Sequence, residues 1–179
     1  MMRLHGALAS TAPSFSNPID ALEEMANREG WSYYFSPSDA SDGRSLTIEL
    51  PGRYSGLEFT YEWSEEEGAL AFSCCIEPGI PWARKEEVRK LLDRVEKVRA
   101  AMKLSGWFDL SDDNFIWFWE RLSRSAEYRT WEMVIATSMA EALEHCNALM
   151  PLFLKTAWGE SDFDEEVIRL TLEEVKGMA

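Results

Sequence analysis

Two hydrophobic periods alternate along this chain, and each change of period marks an element. In "NPIDALEEMANREG" the apolar positions Ile19, Leu22, Met25 and Ala26 recur at the spacing of one helical face. Asn17 is placed to cap that helix, Pro18 suits its first turn, and Gly30 its end. The period then drops to two. "WSYYF" (Trp31 to Phe35), "SLTIEL" (Ser45 to Leu50), "LEFTYEW" (Leu57 to Trp63) and "ALAFSCCIE" (Ala69 to Glu77) read as strands. Leu46, Ile48 and Leu50 share one face of the second, and Leu57, Phe59, Tyr61 and Trp63 alternate with polar residues in the third. The segments between them ("SPSDASDG", "PGRYSG", "SEEEG") are turn-like and short, which predicts an antiparallel meander with one buried face.

The helical period returns after "PGIP". Val88, Leu91, Leu92, Val95, Val98 and Met102 lie on one face of a helix expected over Arg84 to Lys103, with Gly106 as its stop. "WFDL" and "NFIWFWERL" (Asn114 to Leu122) read as a hairpin around the turn "SDD". From Trp131 through Met150 and on to Trp158 the apolar positions keep a helical period across Pro151. One long helix kinked at the proline is therefore favoured over a helix followed by a strand. A last helix is expected from a cap at Ser161 to a stop at Gly177. The fold class is α+β in two layers: an antiparallel sheet, in the order α-ββββ-α-ββ-α-α, covered by helices. Residues 17–179 read as a single domain, and residues 1–16 as a disordered tail.

Composition narrows what such a domain does. The formal net charge of −14 opposes phosphate backbones and acidic membranes, so neither nucleic acid nor membrane is an expected partner; a basic partner would be favoured. No apolar run approaches the roughly 20 residues of a membrane-spanning helix, and no signal peptide is legible, so the cytoplasm is expected. The three cysteines, an odd number, read as free thiols in a reducing compartment. Cys74 and Cys75 fall on opposite faces of a strand, which disfavours a bond between them.

Residues that carry chemistry are scarce. His145 is next to Cys146 on a helix, where neighbours point about 100° apart, so an inert thiol and a surface histidine are expected. The carboxylates Asp112, Asp113 and Glu65 to Glu67 occupy turns, and "SDFDEE" lacks the central glycine of a calcium loop. No zinc spacing, phosphate-binding glycine pattern or nucleophile elbow occurs. No catalytic residue, cofactor or metal is therefore expected.

Two surface candidates remain. The helix after "PGIP" carries Arg84, Lys85, Arg89 and Lys97 among interleaved acids, with Glu86–Lys90 and Asp93–Lys97 at the favourable i, i+4 spacing. That is either a solvated face or a dock for an acidic segment of a partner or second subunit. In the aromatic run, Phe115, Trp117 and Trp119 share one face and Ile116, Phe118 and Glu120 the other. A central strand covered on both sides would show this pattern; so would a partner or dimer surface, or a ligand pocket.

Several blocks resemble the YbjN family of bacterial sensory-transduction regulators, in its alphaproteobacterial branch. They are "NPIDALE", "FTYEW", the "C-x-x-E-P-G-I-P" stretch from Cys74 to Pro81, "GWFDL", "ALEHCNALMPLFLKTAWG" and "LEEVKGMA". The resemblance implies a domain similar to type III secretion chaperones and a non-enzymatic regulatory role through protein binding, without a cofactor. It leaves a secretion-chaperone-like client binder, or a small-ligand sensor with an aromatic pocket, as alternatives. Relatives usually carry an arginine where this chain has Trp119, and the nearest arginine here is Arg121. Trp119 is thus the aromatic expected to be exposed, and Trp119→Arg should be tolerated.

Overall fold

A computed structural model describes residues 17–37, 44–53, 56–77, 79–123, 130–159 and 163–176. Its elements are α1 (Pro18–Glu29), β1 (Ser32–Pro37), β2 (Arg44–Pro51), β3 (Gly56–Ser64) and β4 (Ala69–Ile76). After a 3-10 turn (Trp82–Arg84) come α2 (Lys85–Met102), β5 (Trp107–Leu110), β6 (Ile116–Leu122), α3 (Trp131–Ala157) and α4 (Glu165–Lys176). The strands form one antiparallel sheet in the order β1-β2-β3-β4-β6-β5, so the second hairpin joins the meander through β6 and leaves β5 at the edge. The expected α+β class and element order hold. The expected N-terminal tail lies outside the described residues.

Local chemistry sets most boundaries. Asn17 caps α1 by accepting the Ile19 N–H at 2.9 Å, and Gly30 closes it in the left-handed region at φ 71°. α2 ends at Met102, within a residue of the expected Lys103, but the left-handed cap is Lys103 itself (φ 58°) rather than Gly106. The Leu104 N–H reaches back to the Arg99 carbonyl at 3.1 Å, so a lysine serves where glycine is commoner. Gly106 has another task, because φ is 69° and an added β-carbon would lie 2.7 Å from the Trp119 carbonyl oxygen and closer still to the Phe118 ring. It lets the chain enter β5 flush against β6. α3 runs from Trp131 to Ala157 with Pro151 inside it, so the helical reading holds and the strand alternative falls. At α4 the cap is Asp164, which accepts the Val167 N–H at 3.0 Å; the expected Ser161 cap and Gly177 stop lie outside the described residues.

The core sits between the sheet and the helices. α1 packs on β2 and β3, α2 on β5, and α3 on β6, with α4 laid against α2 and α3. The register aligns Phe59, Cys74, Phe118 and Phe108 across four strands on the covered face. Phe72 stacks on Phe59 and Tyr61 at 5.6 and 4.8 Å between centroids, and Phe108 bridges Phe118 (5.0 Å) to Phe153 of α3 (5.7 Å). Rings of this size bury large areas and lock the sheet to the helix layer. Trp158 is a correction: placed at the end of the apolar period, it caps α3 instead and is 61% exposed.

Candidate protein-docking face

Side chains alternate along a strand, so the same register builds a second surface on the other side of the sheet. One row across the strands is Tyr34, Thr47, Thr60, Ser73, Trp119 and Trp107. The neighbouring row is Glu49, Glu58, Cys75, Trp117 and Asp109. The described helices all pack on the opposite face, and Trp107 and Trp119 stand 49% and 37% exposed. Trp117 and Trp119 stack at 5.6 Å between centroids, 27° from parallel. Thr47, Ser73 and Cys75 are buried, and the Thr47 and Thr60 hydroxyls bond at 3.0 Å.

This corrects the idea of a strand covered on both sides. Ile116 and Phe118 enter the core as the alternation requires, whereas Trp117 is only half-buried and Trp119 is exposed. Trp107 belongs to the same patch but was missed. Its neighbour in register is Trp119, and that pairing depends on the hairpin turn, where Asn114 takes φ 65° and the Ser111 N–H bonds the Phe115 carbonyl at 2.9 Å. The alternation Trp107/Asp109 against Phe108/Leu110 is the signal that could have found it.

The four cations lie elsewhere, on the helix layer, and each is engaged within the chain. Arg84 donates to the Thr156 carbonyl at 3.2 and 3.3 Å, satisfying the end of α3, and pairs with Glu87 at 3.4 Å. Lys85 donates to the Ser111 and Asp112 carbonyls at 3.2 and 3.1 Å, holding the hairpin turn. Arg89 pairs with Glu86, and Lys97 with Glu165 of α4. The structure therefore brings Trp117 and Trp119 together and sets Arg84, Lys85, Arg89 and Lys97 apart from them.

Inside the core lies a set of polar groups that the sequence reading passed over. Arg99 is 1% exposed; its Nη2 donates to the Ser105 and Gly106 carbonyls, and its guanidinium lies over Phe108 and Phe118 at 5.1 and 5.3 Å. Glu96 sits 3.6 Å from Arg99 and accepts the Phe108 N–H at 2.8 Å, occupying a donor on the edge strand. Burial pushes the Arg99 value down and the Glu96 value up. The Cys74 thiol is pushed well up by its hydrogen bond with Cys146 and by burial, and Cys75 to about 11 by burial, Glu58 and Glu77. Protonated, buried thiols are poor nucleophiles.

His145 is a correction, since it is buried rather than on the surface. Its Nδ1 has no hydrogen-bond partner, and burial together with Arg99 lowers its value from 6.5 to about 4. The unfolded chain therefore binds this proton more readily. The stability contributed by neutral His145 is complete above pH 6.5 and is lost as pH falls towards 4. Urea unfolding at pH 7.5 and 4.5 should show wild type losing about 2 kcal/mol more than His145→Leu. Parallel losses in the two proteins would refute this assignment.

The class of the molecule is thus α+β, a six-stranded antiparallel sheet with its described helices on one face and an aromatic patch on the other. Residues 18–116 match the YbjN family model, described as "Putative bacterial sensory transduction regulator", and the chain belongs to that family. No curated protein and no solved structure matches it.

Proposed function

We propose that this protein is a non-enzymatic regulatory domain of the cytoplasm that acts by holding a protein partner on the open face of its sheet. The observation that carries this reading is the stacked pair Trp117 and Trp119 beside Trp107, on a face that no described helix covers. Exposed tryptophans clustered on a rigid sheet have the composition of binding hot spots. The family description supports the regulatory role. The buried state of Cys74, Cys146 and His145 supports a structural rather than catalytic use for them. A chaperone-like grip on an extended client is the second reading, favoured by rows of side chains that cross several strands.

The test is affinity purification from the native host with wild type and with Trp117→Ser/Trp119→Ser. Proteins enriched by wild type should fall about tenfold or more with the variant. Equal enrichment by a folded variant would overturn the reading.

A further inference from the structure

The open face is acidic as well as aromatic. The row that contains Trp117 carries Asp109 on one side of it and Cys75, Glu58 and Glu49 on the other. Glu49 and Glu58 are exposed and directly opposite each other on neighbouring strands. Like charges so placed cost stability, and neither glutamate has a hydrogen bond or ion pair in the described structure to relieve it. Arg121, the cation in register on this face among the described residues, is tied to Glu67 at 2.6 Å. Among the described residues the row is thus negative.

We propose that the segment received by this face is an extended basic stretch of a partner protein, with lysine or arginine at alternate positions; the proposal rests on the docking reading above. Charge complementarity selects it. Cations would relieve the Glu49–Glu58 repulsion at one end and meet Asp109 at the other, while the stacked indoles between offer faces that attract cations. The dimensions fit. Five strands at about 4.8 Å spacing put Asp109 and Glu49 roughly 19 Å apart, the reach of about six extended residues whose alternate side chains point down every ~6.7 Å. A second copy of this chain is disfavoured as occupant, because face-to-face pairing sets two acidic rows together on molecules that each carry −14.

The experiment titrates the full chain into a fluorescein-labelled twelve-residue peptide of alternating lysine and threonine, with alternating glutamate and threonine as control. Anisotropy and tryptophan emission are read together, and circular dichroism confirms each variant is folded. The lysine peptide should bind saturably with a change in tryptophan emission, weaken with salt, and lose about tenfold in affinity with Glu49→Gln/Glu58→Gln. Glu65→Gln/Glu66→Gln, the same charge change in the β3–β4 turn, should shift it less than about twofold. Equal losses from both pairs would reduce the effect to net charge and overturn the proposal. So would sedimentation showing a dimer abolished by Trp117→Ser/Trp119→Ser. If that variant loses its host proteins while the lysine peptide fails to bind wild type, the basic segment is wrong and the docking face stands. If the variant keeps its host proteins, the docking reading itself fails.

Discussion

Gly106→Ala should lower the melting temperature by roughly 10 °C, a loss of about 2–4 kcal/mol for a chain of this size. Two costs combine. At φ 69° a β-carbon is strained whatever surrounds it, which accounts for about 1 kcal/mol. The new methyl also has no space between the Phe118 ring and the Trp119 carbonyl, and overpacking of this kind costs typically 1–3 kcal/mol. Gly30→Ala separates the two, because φ is similar at 71° but nothing lies within 4 Å of the added carbon. It should lose only the smaller part. Thermal unfolding followed by circular dichroism decides the matter, and equal shifts for the two variants would show that the close approach at Gly106 is not tight.

Phe118→Ala should cost about 3–5 kcal/mol, while Trp119→Arg, its neighbour, should stay within about 1 kcal/mol of wild type. Phe118 is 1% exposed; its ring contacts Phe108 and Phe72 and lies beneath the Arg99 guanidinium. Removing it opens a cavity at the junction of sheet and helices and strips an apolar neighbour from a buried cation. Trp119 points to the other side, where an arginine can reach solvent along its own stem. Denaturant titration of both variants gives the comparison. A collapse of Trp119→Arg would mean that the open face is covered in solution and that its exposure is not what makes the tryptophan replaceable.

The sequence exposed the fold more fully than the site because a strand's period reports which residues share a face, not what lies over that face. Asn17, Pro18 and Gly30 defined α1 through local chemistry alone. In the same way, Leu57, Phe59 and Tyr61 announced one buried face of β3. The run from Phe115 to Trp119 carried apolar residues on both faces, so its alternation could not say which side the helices would take. The register with β4, which sets Phe118 opposite the core residue Cys74 and Trp119 opposite Ser73, assigns Phe118 to the core and Trp119 to the surface, where the family resemblance had placed it. Arg99 left a signal that the sequence reading passed over. It stands four residues after Val95 and three before Met102, on the apolar face of α2, and its guanidinium turns inward to the carbonyls of the following loop. His145 and Trp158 exchanged their expected places because the helical period fixes direction, whereas burial also depends on where the neighbouring elements end.

The insertion of β6 beside β4 has a consequence for how the molecule is made. β1 to β4 are joined by short connections and can form their hairpins locally, but Leu70 finds its partner in Leu122, across the whole of α2 and β5. Closing so long a loop is the entropically expensive step of this topology. The acidic half of the open face, on β2 and β3, therefore belongs to the early, local part of the structure. Its tryptophan half arrives only when β6 docks. A chain emerging from the ribosome presents Glu49 and Glu58 well before it can present Trp117 and Trp119, so the complete surface exists only after the sheet has closed around residue 122.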